Sequence, residues 1–183
     1  RELRLRHWRL QQDAGVDRMP SNDFSLYDHV LDTAWLFDAI PERYRALADV
    51  DPLAGYFAMA RGHQKDGIDL HALEMTKWFD TNYHYLVPEL HAGQRFALRG
   101  RKPVDEFLEA RAAGFATRPV LLGPVSFLKL SKTVDASSAL GLLDRLLPAY
   151  AELLVLLKVA GADWVQIDEP CLVLDLDDPS RAA

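Results

Sequence analysis

From Arg1 to Gln12 the apolar residues Leu3, Leu5, Trp8 and Leu10 recur among Arg, Glu, His and Gln with no Gly or Pro. That spacing predicts an amphipathic helix, ended by Asp13-Ala14-Gly15. Val16 to Pro20 reads as a short strand. Its polar exit, Ser21-Asn22-Asp23, precedes a second helix from about Ser25 to Asp38 with Leu26, Val30, Leu31, Ala34 and Trp35 on one side. Pro41, Pro52, Gly55, Gly62 and Gly67 then interrupt the chain at irregular intervals, which predicts short helical pieces as far as His71 and an exposed loop from Gly62 to Gly67 that includes Asp66.

Between Ala72 and Glu89 two apolar or aromatic runs enclose a dense polar knot. Beyond it, Phe96 to Leu98 has a β-like composition, Val104 to Ala113 reads as a helix closed by Gly114, and Pro119 to Val125 reads as a buried strand turning at Gly123-Pro124. Leu140 to Ala160 is a long apolar-periodic helix with Pro148 inside it and Gly161 after it, and Trp164 to Ile167 is a further buried strand ending in Asp168-Glu169-Pro170. Short buried strands alternating with helices predict βα units on a parallel sheet, either doubly wound or a (β/α)8 barrel. No internal repeat or linker interrupts the pattern.

Composition narrows the function classes. The 183 residues carry 21 Lys plus Arg against 27 Asp plus Glu, a net charge of −6, which argues against non-specific binding to nucleic acid or to anionic membranes. Arg118, Lys129, Asp144 and Lys158 break up the most hydrophobic half, so no stretch reaches the roughly 18 apolar residues that a membrane helix needs. A single cysteine, Cys171, cannot form an internal disulfide, and no signal segment opens the chain, which points to a cytoplasmic protein. The chain opens at Arg1, directly in a helix and without an initiator methionine, as a segment starting downstream of the true start would.

In a parallel α/β fold, polar residues just after apolar strands gather at one mouth. Four such sets occur: Asn22 and Asp23; Lys77 with Asp80, Asn82 and His84; Ser126; and Asp168 with Glu169. Lys77, flanked by Met75 and Trp78-Phe79, should emerge from an apolar wall, either to meet a carboxylate or phosphate of a ligand or to pair with Glu74 or Asp80. His84 lies between Tyr83 and Tyr85, which favours a hydrogen-bonded core histidine over a catalytic or metal-binding one. Adjacent side chains in extended backbone point to opposite faces, so Asp168 and Glu169 are a poor acid-base pair: one should face the mouth while the other meets an Arg or a helix N-terminus. Cys171 has no C-x-x-C or H-x-x-x-H companion, so no metal is expected here, and an isolated Cys reads as a small buried hydrophobe. Ser126 lacks the G-x-S-x-G elbow of serine nucleophiles, and no glycine-rich phosphate loop occurs.

The run Glu74-Met-Thr-Lys-Trp-Phe-Asp-Thr-Asn-Tyr-His-Tyr-Leu-Val-Pro-Glu89 closely resembles the N-terminal half of the cobalamin-independent methionine synthases. Arg1 to Trp8, Pro20 to Asp32, Leu122 to Phe127 and Trp164 to Pro170 fit the same family in the same order. The resemblance implies a two-barrel methyltransferase of methionine biosynthesis, which passes the N5-methyl of 5-methyltetrahydropteroyltriglutamate to homocysteine. It implies that residues 1–183 are part of the N-terminal (β/α)8 barrel, lacking its first and last strands. Zinc, homocysteine and the catalytic residues would belong to the absent C-terminal barrel, with no cobalamin and no catalytic residue in this segment. Of the contacts to the folate glutamate tail, the lysine of Met-Thr-Lys-Trp-Phe maps onto Lys77. Two other classes remain open at this point: a non-catalytic binding or scaffold barrel, and a metal-dependent barrel hydrolase using His84 and Asp168.

Overall fold

A computed structural model describes every residue of the chain except Asp66. The first half runs through α1 (Glu2–Asp13), β1 (Met19–Ser21), α2 (His29–Leu36), α3 (Glu42–Val50) and α4 (Pro52–Arg61). Two hairpins follow, β2 (His63–Lys65) with β3 (Ile68–Leu70), and β4 (Met75–Lys77) with β5 (His84–Leu86). The second half comprises β6 (Glu89–Leu90), α5 (Lys102–Ala112), β7 (Thr117–Leu122), α6 (Pro124–Leu130), β8 (Lys132–Thr133), α7 (Leu143–Val159), β9 (Gln166–Asp168) and α8 (Asp178–Ala182).

The architecture is α/β with parallel strands. β1, β7 and β9 form a three-stranded parallel sheet in the order β1-β7-β9, with Met19 opposite Thr117 and Val120 opposite Gln166. β6 pairs in parallel with β8, a two-residue contact too short to be read from sequence. The central strand is packed by helices: Leu121 and Leu122 share one core with Phe37, Phe107, Phe127, Tyr150 and Leu153. The Phe37 and Tyr150 rings stack at 4.3 Å, and the Tyr150 hydroxyl donates to the Leu122 carbonyl at 2.6 Å. α1 closes the outer side of β1, where buried Trp8 packs on Phe115 and its indole N–H donates to the Pro20 carbonyl at 2.9 Å.

Local chemistry sets the helix ends. α2 starts four residues later than its apolar spacing suggests, because Asp28 accepts the Leu31 N–H at 2.8 Å and so becomes the N-cap. It ends at Leu36, before Asp38 turns left-handed at φ 57°. Pro148 does stand inside α7, and Gly114 and Gly161 follow α5 and α7 with positive φ.

Four readings need correction. Gly62 to Gly67 is no open loop: His63–Lys65 and Ile68–Leu70 pair antiparallel, with Asp66 outside the described residues. Phe96 to Leu98 forms no strand. The N–H groups of Ala97 and Arg99 instead donate to the Phe37 and Leu36 carbonyls, which the end of α2 leaves free. The strand carrying Lys77 does not join the parallel sheet, because the chain folds back at once and β4 pairs antiparallel with β5. The polar knot is the turn of that hairpin: Trp78 N–H donates to the Tyr83 carbonyl at 2.7 Å, Thr81 Oγ1 donates to the Trp78 carbonyl at 2.7 Å, and Phe79 is left-handed at φ 49°. Finally, His84 is no core histidine. It lies opposite Lys77, and the alternation of side chains sends Tyr85 into the core while His84 stays exposed with Nδ1 3.0 Å from the Asn82 carbonyl. Among the described residues, no helix is long and apolar enough to cross a membrane.

Candidate functional site

The parallel strands end together. Asn22 and Asp23 follow β1, Leu122 closes β7, and Asp168 closes β9 ahead of Glu169, and all of these line one cavity of about 1100 Å³. The C-terminal edge of a parallel sheet is where α/β proteins place their ligands. α2 supplies His29 and Asp32 to the same cavity, the start of α5 supplies Lys102, and the hairpin turn leans in through Trp78 and Tyr83.

The floor is wired by a chain of polar contacts. Asn22, held left-handed at φ 63°, donates from Nδ2 to the Val120 carbonyl at 2.8 Å and accepts from Lys102 Nζ at 2.7 Å. Lys102 Nζ also stands 3.2 Å from Asp32 Oδ2 and 3.7 Å from Glu106 Oε1. The other Asp32 oxygen accepts from the Tyr56 hydroxyl at 2.6 Å. Burial, reinforced by the charge of Asp32, pushes the Tyr56 hydroxyl far above its ordinary range, so it remains a proton donor. Burial also raises the Glu106 carboxyl, against the opposing pull of Lys102 and Arg4.

The aromatic wall is equally ordered. The His29 ring meets Trp78 edge-on at 4.6 Å and lies nearly parallel to Tyr83 at 6.3 Å. Burial lowers the His29 pKa, with the charges of Asp32 and then Asp168 acting the other way. His29 is therefore a neutral ring at pH 7, suited to stacking and to single hydrogen bonds.

The structure divides the sequence candidates into three groups. Asn22, Asp23, Asp168 and Glu169 line the cavity. Glu169, however, is turned onto the start of α6, where its carboxylate accepts from Val125 N at 3.1 Å and Ser126 N at 2.7 Å. Ser126 is fully buried and its hydroxyl accepts from Cys171 N at 3.1 Å, so it faces the core rather than the mouth. Lys77, Asp80, Asn82 and His84 are exposed on the hairpin, and none of them borders the cavity. Lys77 and His84 share one hairpin face, while Trp78 turns to the other and packs on Tyr85 at 5.9 Å. Lys77 is exposed, while Trp78 and Phe79 pack against the hydrophobic core. Glu74 is also occupied, by Lys132 at 2.8 Å.

Sequence reasoning passed over His29, Asp32, Tyr56, Trp78, Tyr83 and Lys102. His29 and Asp32 had a signal, one turn apart at the start of a capped helix on the same face. Trp78 and Tyr83 had another, as the aromatic ends of a hairpin turn. Nothing in the sequence brings Lys102 to Asn22, eighty positions earlier. Among the described residues no three His, Cys, Asp or Glu side chains are grouped to hold a metal ion, and His84 lies outside the cavity that Asp168 lines, so the pair proposed for a hydrolase is not assembled.

The whole chain, residues 1–183, matches the family model described as cobalamin-independent synthase, N-terminal domain. It is 76% identical over 183 residues to the 5-methyltetrahydropteroyltriglutamate-homocysteine methyltransferase of Xylella fastidiosa (strain 9a5c), an alignment covering 100% of this chain and 24% of that protein. The proteins of the same name from Chelativorans sp. (strain BNC1) and Caulobacter vibrioides are 59% identical over 191 residues and 58% identical over 200, covering 25% and 26% of their lengths and all of this chain. The chain thus spans about a quarter of the length of the curated relatives it matches. By the match along its full length, the chain belongs to the family of cobalamin-independent synthase N-terminal domains.

Proposed function

We propose that this segment is the folate-holding part of a cytoplasmic methyltransferase that moves the N5-methyl group of 5-methyltetrahydropteroyltriglutamate to homocysteine. The observation that carries the reading is the family membership of the whole chain, together with a ligand-sized cavity at the C-terminal edge of its parallel sheet. The parallel order β1-β7-β9 with intervening helices supports an incomplete (β/α)8 barrel, the N-terminal one of two, whose remaining strands come from elsewhere in the longer chain.

In this reading Lys77 pairs with a carboxylate of the glutamate tail. Its exposure on the outer hairpin face suits that role, since the tail is the most water-seeking part of the ligand and the ammonium gives up little hydration to meet it. The cavity lining supports the same division: Asp23, Asp32, Asp105, Asp168 and Glu169 outnumber Arg101 and Lys102, a net negative charge that disfavours a polycarboxylate tail inside the cavity and favours the hairpin side.

Zinc and homocysteine are assigned to the C-terminal barrel, the partner domain of the same longer chain. The donors present here do not fit a zinc site, since the one cysteine is buried against Glu169 and Ser126. The test is methionine formation from homocysteine and triglutamate folate by the full-length protein carrying this segment, beside the isolated 183-residue polypeptide. The full-length protein should form methionine and the polypeptide none. Methionine formed by the polypeptide alone would refute the division of labour.

A further inference from the structure

We propose that Asp28 is a positioning residue for the folate tail, a buried clasp that fixes the β4-β5 hairpin, and with it Lys77, against helix α2. The proposal rests on the reading of Lys77 given above. Asp28 is 1% exposed, and its two carboxylate oxygens are divided between two elements. Oδ1 accepts from Leu31 N in the first turn of α2 at 2.8 Å, and Oδ2 accepts from Leu86 N at the end of β5 at 3.0 Å.

Leu86 is opposite Met75 in the hairpin and His84 is opposite Lys77, so the backbone position that Asp28 grips is two residues from the one facing Lys77. The residue after Asp28 is His29, whose ring meets Trp78 and Tyr83 at the hairpin turn. One carboxylate therefore sets both the start of the helix and the distance at which the hairpin stands from it. Helix capping alone needs only one oxygen, which a serine would supply. The second oxygen is what joins hairpin to helix.

The hairpin has other anchors. The Tyr85 hydroxyl donates to the Leu130 carbonyl at 3.0 Å, and Leu73 N–H, just ahead of the hairpin, donates to the Met59 carbonyl at 2.8 Å. These fix its base and its core face. Loss of the Asp28 contact should therefore let the hairpin tilt while the fold persists, which makes the role separable from folding.

The experiment is Asp28→Ser in the full-length protein, which keeps the cap on Leu31 N–H and removes the acceptor for Leu86 N–H. KM is measured for the triglutamate and monoglutamate folates, alongside Lys77→Met and the double variant. A lost charge-assisted contact corresponds to roughly a tenfold rise in KM for the triglutamate, with KM for the monoglutamate and kcat nearly unchanged. The double variant should be no worse than Lys77→Met alone, since Asp28 acts through Lys77. If Lys77→Met discriminates between the two folates and Asp28→Ser does not, or if the two effects add, the clasp is overturned. If neither variant discriminates, the tail reading fails and takes the clasp with it. Should Asp28→Ser not fold, Asp28→Asn carries the same test, since it keeps the volume and one acceptor oxygen but turns an amide donor toward Leu86 N–H.

Discussion

The Glu169 carboxylate lies 2.7 Å from the Ser126 amide nitrogen, and a Cβ placed on Gly123 would stand 2.2 Å from the same carboxyl group. The end of β9 is thereby locked to the start of α6, with Gly123 N–H donating to the Asp168 carbonyl at 2.7 Å. Of the two adjacent acids, Glu169 is spent on this lock, and Asp168 stays exposed at the cavity with Gln166 donating to it at 2.8 Å.

Gly123→Ala should destabilise the protein by about 1–3 kcal/mol through overpacking against that carboxyl. Pairing it with Glu169→Ala removes the obstructing group, so the two losses should add to less than their sum. Chemical denaturation of the single and double variants measures both. Strict additivity would mean that the close approach is not where the strain lies.

Lys102 and Lys77 should differ sharply in stability. Lys102→Met leaves Asn22 Oδ1 and the partly buried Asp32 and Glu106 carboxylates without their shared cation, and should cost about 1–3 kcal/mol. Lys77→Met removes an exposed side chain that makes no ion pair among the described residues, and should stay within about 0.5 kcal/mol of the parent. Urea midpoints of the two variants give the comparison.

His29 should titrate below its ordinary 6.5, because burial disfavours the imidazolium. The unfolded chain then binds the proton more tightly than the fold does. The stability from neutral His29 is complete above about pH 6.5 and is lost as the pH falls through the lower folded value. Asp168 opposes the shift, so Asp168→Asn should carry the His29 titration lower still, as followed by NMR of the ring protons. An unchanged titration would place Asp168 outside the reach of the ring.

The strands β1 and β7 and the long helices were legible because their apolar periods are long or their ends carry Gly, Pro or Asp; β9 was legible as a strand, but it runs from Gln166 to Asp168 and is not buried, with Ile167 exposed. Their alternation carried the α/β class. The hairpins were not legible for a shared reason. Met75 to Phe79 looks like an apolar strand bound for the sheet, and only the return contact of Trp78 with Tyr83, which depends on a left-handed Phe79, reveals the reversal. Four residues of the cavity lining followed from the rule that polar residues gather after parallel strands, which located Asn22, Asp23, Asp168 and Glu169. The rule failed for Ser126, the third residue of α6, which is buried within the first turn of that helix. It could not reach Lys102 or Tyr56, whose places are set by helix packing between distant parts of the chain.

The central claim, that this segment holds a folate through its glutamate tail, is tested most directly by calorimetric titration of the full-length protein and its Lys77→Met variant with triglutamate and monoglutamate methyltetrahydrofolate. The substitution should weaken triglutamate binding roughly tenfold, as expected for one charge-assisted contact, and leave monoglutamate binding nearly unchanged. Equal weakening of both ligands, or of neither, would contradict it.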